Sequence, residues 1–258
     1  MRNALIFDCD GVLADTEKHG HLPAFNRTFK EVGLQVQWSS EEYAERIKIG
    51  GGKERMQDML TSDFVAEHNL STDVEEQRAM VARWHAVKTR HYTELISAGT
   101  IPARPGVRRL AEEALKAGWS LAVASTSAEV SVRAVLETVV GLDMADHFEV
   151  FAGDVVPQKK PWPDIYLLAL DRLGVQASDA VVVEDSGIGL RAARAADLRT
   201  IVTISSYTAH DDMEGAALVL SDLGEPDSPA QVIDDPEGLL QGSCVDIGTL
   251  WRILGTDR

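Results

Sequence analysis

Cysteine is almost missing from this chain: Cys9 and Cys244 are the only two among 258 residues. Their spacing gives neither a disulfide framework nor a zinc-ligand pattern, so a reducing compartment is expected. No apolar run approaches the roughly 18 residues of a membrane-spanning helix. The start of the chain lacks the layout of a secretory signal. The expected location is the cytoplasm, or the plastid stroma if a transit peptide has been removed. Positive charge is also scarce, with 25 Lys plus Arg against 41 Asp plus Glu, a formal net charge of −16. Such a surface repels nucleic acid and anionic lipid, and neither is expected as a partner. A small anionic substrate is not excluded, because a site answers to its own local charges and to any bound metal. There is no internal repeat and no low-complexity segment, and a monomer is expected.

The apolar share is 45%, enough for a sizeable core. Short apolar runs alternate with helical patterns. The runs are Ala4–Phe7, Leu121–Ala124, Val150–Ala152, Ala180–Val183, Ile201–Ile204 and Ala217–Leu220. Most are continuously apolar, as strands of a parallel sheet covered on both faces must be. Between them, Val107, Leu110, Ala114 and Leu115 form one helical stripe, and Ile165, Leu168, Ala169 and Leu173 another, both suited to crossover helices. Residues 17–98 break the alternation. They show helical patterns near Phe25–Val32, Ala44–Ile49, Met56–Leu60 and Val74–Leu95, with no convincing strand. The expected fold is therefore α/β: a doubly wound, Rossmann-like parallel sheet (residues 1–16 and 99–258) with an inserted all-helical cap (residues 17–98). Gly224–Gly242 reads as a surface loop and Val245–Leu254 as a last helix. Trp84, Trp119 and Phe148 read as core residues.

Open parallel sheets bind ligands at the carboxyl ends of their strands. Asp8 and Asp10 follow the first run, Ser125 and Thr126 the second, Lys159 and Lys160 the third, and Glu184 and Asp185 the fourth. Several carboxylates in one crevice repel one another unless a hard cation joins them, and Mg²⁺ takes such oxygen ligands beside a phosphate. Asp8 and Asp185 are the expected direct ligands, the Asp10 carbonyl a third, and Glu184 a group acting through water or by orienting a ligand. Ser125, Thr126 and Lys160 suit phosphate oxygens. Two neighbouring acids can then divide the work. Asp8 attacks phosphorus to give an aspartyl-phosphate, while Asp10 gives a proton to the leaving alcohol and later takes one from water.

At these residues the chain resembles the haloacid dehalogenase superfamily of phosphotransferases. "FDCDGVLADT" is similar to its first motif, Ser125 to the second, Lys160 in "KKPWPD" to the third, and Glu184-Asp185 in "VVVEDSGIGL" to the fourth. The insertion point places the likeness in the helical-cap subgroup, and the resemblance implies Asp8, Asp10 and Asp185 as Mg²⁺ ligands. A narrower resemblance, carried by "GVLADTEKHGHLPAFNRTF", "IKIGGGKERM", "RPGV" and "FAGDVVPQKKP", is to CbbY-type sugar phosphatases. It implies hydrolysis of xylulose-1,5-bisphosphate, a Rubisco inhibitor, to xylulose 5-phosphate. Trp162 departs from that pattern, where many relatives carry Asp, and is expected to touch only the packing of the next helix start.

A bisphosphate needs a second anion site, expected at "GGGKER", where Gly51, Gly52, Lys53 and Arg55 offer backbone N–H groups and charge. A glycine hinge with a solvated basic face is the alternative. Glu17 and His21 are candidates for the sugar hydroxyls, and Arg104 either faces the site or serves a helix start. The sequence leaves a β-phosphoglucomutase-type mutase and a phosphoglycolate phosphatase open. It also leaves open, more distantly, a non-catalytic nucleotide-binding module.

Overall fold

The computed structural model describes residues 3–99 and 101–255. The outermost parts of the expected core segments, residues 1, 2, 100 and 256–258, lie outside the described residues. Seven strands form one sheet in the order β3-β2-β1-β4-β5-β6-β7. They are β1 Ala4–Phe7, β2 Ser120–Ser125, β3 Phe148–Ala152, β4 Ala180–Glu184, β5 Arg199–Thr203, β6 Leu218–Leu220 and β7 Val232–Asp234. The first six run parallel, and β7 pairs antiparallel with β6.

The unbroken apolar runs have a direct cause. Leu5, Phe7, Leu121, Val123, Val181 and Val183 pack into one buried cluster. Their neighbours Ala4, Ile6, Ala122, Ala124, Ala180 and Val182 pack into another. Successive side chains leave a strand on opposite faces, so a strand covered on both sides must be apolar at every position. The first cluster is completed by α6 (Val107–Lys116), α7 (Glu129–Val140) and α11 (Ile247–Ile253), and the second by α9 (Asp164–Leu173) and α10 (Gly187–Ala195). A one-turn helix, α8 (Leu142–Ala145), precedes β3.

The cap leaves and rejoins the sheet at one point. Ala14 and Ala103 form an antiparallel bridge, and Arg104 N–H donates to Leu13 O at 2.9 Å. Between these strands of linker lie a π-helical turn at Glu17–His21 and five helices. These are α1 Leu22–Glu31, α2 Ser40–Arg46, α3 Gly52–Asp58, α4 Ser62–Glu67 and α5 Val74–Ser97. The cap has its own core, with Trp38 packed 4.9 Å from Phe25 and 4.8 Å from Phe29, ring centre to ring centre. Trp84, Trp119 and Phe148 are buried as expected.

Two elements differ from the sequence reading. The Gly224–Gly242 stretch contains β7, a three-residue edge strand with exposed side chains whose pairing leaves no hydrophobic signature. Helix α4 was not expected. Its signal is the Thr61 hydroxyl, which accepts from Phe64 N–H and caps the first turn.

Candidate active site

The chain runs from β1 outward to β2 and β3, then returns across β1 to β4, so a crevice opens above the carboxyl ends of these strands. The cap covers it, leaving a cavity of about 390 Å³. The structure brings Asp8, Asp10, Ser125, Thr126, Lys160, Glu184 and Asp185 to this one cavity, together with Glu17, His21, Gly51, Gly52 and Arg55 from the cap side.

Its floor is anionic. Oxygens of Asp8, Glu184 and Asp185 all lie within 4.8 Å of one another, and all three residues are buried. Lys160 is the shared counter-charge. Its ammonium donates to Asp8 Oδ1 at 2.7 Å, to Glu184 Oε1 at 2.6 Å and to Ala124 O at 2.9 Å. Tyr166 also donates to Glu184 Oε1, and Asp185 N–H donates to Glu184 Oε2 at 3.1 Å. Glu184 is thus held on both oxygens. A Cβ at Gly189 would sit 2.0 Å from the Glu184 carboxyl carbon, so glycine at this position leaves room for that carboxylate.

One ammonium does not balance three carboxylates. Burial, with the charges of Glu184 and Asp10, raises the Asp8 carboxyl to about 7 despite Lys160. Burial and the charges of Glu184 and Asp8 push Asp185 well above the carboxylate range, although Ser205 hydrogen-bonds it. Among the described residues, Asp185 forms no salt bridge. An all-oxygen, charge-deficient donor set fits a hard dication.

Asp10 belongs to a different network. Its carboxylate accepts from the Thr16 and Ser127 hydroxyls, from Tyr92 OH at 3.2 Å and from His21 Nε2 at 2.7 Å. Lys88 contacts His21 Nδ1. An ammonium can only donate, so Nδ1 accepts and Nε2 carries the proton given to Asp10. Burial alone would raise the Asp10 carboxyl, but the hydrogen bonds from His21, Ser127 and Thr16 hold it far below the usual range. Burial also lowers the Lys88 ammonium to about 8. Two adjacent acids therefore have opposite proton affinities, the separation of roles that acid–base chemistry uses.

The cap face is cationic. Arg55 donates to Glu17 at 3.3 Å and to Tyr43 OH at 2.8 Å, and Tyr43 in turn donates to Glu17. His85 lines the cavity beside Gly52. Burial and the nearby charges of Lys88, Lys53 and Lys159 lower its imidazole to about 3, so it is neutral at ordinary pH.

Not every expected residue faces this space. Lys53 is outside the cavity lining. Its ammonium pairs with Asp154 of the loop after β3, while Glu54 pairs with Lys159 at 2.7 Å. α3 begins at Gly52, so Lys53 and Arg55 leave the helix in different directions, Arg55 inward and Lys53 to the cap–core seam. Arg104 does not face the cavity either: its guanidinium donates to Ile204 O at 2.8 Å and to Ser221 O. Trp162 is 56% exposed and outside the lining. The sequence reading missed Tyr166, Lys88, His85, and Ser205 with Thr208 after β5. Lys88 had a signal. It occupies a position of α5 where the buried stripe Val81, Trp84, Lys88, Tyr92, Ile96 calls for an apolar residue.

Known proteins are similar to this chain. The family model of haloacid dehalogenase-like hydrolases matches residues 3–197. A CBBY-like protein of Arabidopsis thaliana is 48% identical over 226 residues, 88% of this chain and 70% of that protein. Protein CbbY of Cupriavidus necator is 44% identical over 232 residues, covering 88% and 87%. The crystal structure of a mutant CbbY from Rhodobacter sphaeroides in complex with xylulose-1,5-bisphosphate superposes with a TM-score of 0.76. It is 40% identical and covers 86% of this chain and 95% of that one.

Proposed function

Because this chain belongs to the haloacid dehalogenase-like hydrolases, we propose that it removes one phosphate from a sugar bisphosphate, xylulose-1,5-bisphosphate, and releases xylulose 5-phosphate. The observation that carries this reading is a single cavity with two unlike ends, an anionic floor around Asp8 and a cationic cap face around Arg55 and Lys88. A substrate with a phosphate at each end matches it. The similar Rhodobacter sphaeroides protein was crystallised with such a compound.

Asp8 is the nucleophile. Lys160 holds its Oδ1, leaving the other oxygen to form a bond to phosphorus as the bond from phosphorus to the sugar oxygen breaks. Ser125, Thr126 and Lys160 hold the phosphoryl oxygens. Asp10 supplies the proton to the departing sugar oxygen. The incoming phosphate dianion raises its proton affinity, so that Asp10 takes up this proton from solvent as substrate enters. In the second step Asp10 takes a proton from water, which attacks phosphorus and restores the Asp8 carboxylate. Mg²⁺, held by Asp8, Asp185 and the Asp10 carbonyl with Glu184 behind them, would supply charge neutralisation for the carboxylates and the phosphate. Glu17, His21 and Arg55 orient the sugar, with Gly51 and Gly52 beside the far phosphate. Lys53 acts at the seam rather than on substrate.

Incubation with xylulose-1,5-bisphosphate and Mg²⁺ should release one equivalent of inorganic phosphate and no more. Asp8→Asn should abolish release without changing the circular dichroism spectrum. Conversion of β-glucose 1-phosphate to glucose 6-phosphate at a comparable rate, with little phosphate release, would overturn the reading in favour of a mutase.

A further inference from the structure

The loop after β5 contains a hydrogen-bond chain that ends on Asp185. Ser205 Oγ donates to Asp185 Oδ2 at 2.7 Å. Thr208 stands behind it: its Oγ1 accepts Ser205 N–H at 2.8 Å and lies 3.0 Å from Ser205 Oγ. The protons can be assigned. With a dication bound, the Asp185 carboxylate is ionised and only accepts, so the single Ser205 hydroxyl proton goes to Asp185, and the Thr208 proton goes to Ser205 Oγ. All three residues are buried.

The same loop grips the chain on the other side of Asp185. Asp211 Oδ2 accepts from Gly187 N–H at 2.9 Å, and Asp211 N–H donates to Thr208 O at 3.0 Å. The backbone of Gly11 lies close to the same carboxylate, where a Cβ would sit 2.0 Å from Oδ2. Oδ2 is therefore held in place, and Asp185 presents a carboxylate oxygen within 4.8 Å of those of Asp8 and Glu184.

We propose that Ser205, oriented by Thr208, is a positioning residue that fixes the Asp185 carboxylate for a bound dication and so sets the affinity of the site. This rests on the cation reading given above. Loss of a partner that orients a liganding carboxylate costs about 10–100-fold in metal affinity. Neither residue touches substrate in this account.

The test is Mg²⁺ titration by calorimetry and Mn²⁺ binding by electron paramagnetic resonance on the purified whole chain. The proteins are wild type, Ser205→Ala, Ser205→Thr, Thr208→Val and Asp185→Asn. Melting curves of the cation-free proteins are recorded in parallel. The expected result is cation binding by wild type and its loss in Asp185→Asn. Ser205→Ala should bind about 10-fold more weakly or worse, and Ser205→Thr should restore affinity. Thr208→Val should fall between. Wild-type affinity in Ser205→Ala overturns the inference alone. If Ser205→Ala does not fold, Thr208→Val decides, and unchanged affinity there overturns it. No binding by wild type, or equal binding by Asp185→Asn, overturns the cation reading and this inference with it.

Discussion

Burial raises the Asp8 carboxyl from 3.8 to about 7, and this has a consequence for stability. For an acid raised in the folded state, the native protein binds more protons than the unfolded chain between those two values. Stability then falls as pH rises through that window and stays low above it. Cation-free protein should therefore melt at a lower temperature near neutral pH than at mildly acid pH on account of this group. Asp8→Asn should remove that part of the slope and stabilise the cation-free protein at neutral pH by on the order of 2 kcal/mol. Chemical denaturation of both proteins across pH measures it, and equal slopes would refute it. At this scale the sequence was informative where polar residues break an apolar run: Asp8 and Asp10 stand out after Ala4–Phe7. Lys88 was legible in principle, as a lysine inside a buried stripe. The division between Arg55 and Lys53 was not, because it depends on where α3 begins.

At the scale of elements, the strands were readable because double-sided burial leaves them no polar position. β7 was not, since its Val232 and Ile233 are about half exposed and its flanks are rich in Pro, Asp and Gly. The motif after β4 also carries a constraint that only packing reveals. Gly189 is not there for turn freedom but because Glu184 occupies the place of its side chain. Gly189→Ala should push Glu184 away from Lys160 while α10 still forms. A displacement of that kind lowers turnover on the order of 10²-fold with the fold retained. Steady-state kinetics beside circular dichroism check this, and wild-type turnover would show that Glu184 can be moved freely.

At the scale of the whole molecule, the cap has a hydrophobic cluster of its own, its Ala24, Tyr92 and Ile96 pack into a cluster of the core, and charges join the two across the cavity mouth. Lys53 with Asp154 and Glu54 with Lys159 bridge the seam beside the expected phosphate end. These pairs are partly exposed, so each contributes up to about 1 kcal/mol. Asp154→Ala should raise KM by up to about 5-fold with kcat little changed. The difference from wild type should shrink in high salt. A salt-independent effect would argue against an electrostatic clasp. Which strand tips meet was legible from the sequence, because topology dictates it. Which cap side chains face them was not, because it depends on how the two bodies close.

The central claim is that Asp8 captures the phosphoryl group. Acid quench during turnover of xylulose-1,5-bisphosphate, borohydride reduction and peptide mass spectrometry test it directly, since an aspartyl-phosphate is reduced to homoserine. The account predicts homoserine at residue 8 and nowhere else, and none in Asp8→Asn. Reduction at a different acid, or full turnover by Asp8→Asn, would contradict it.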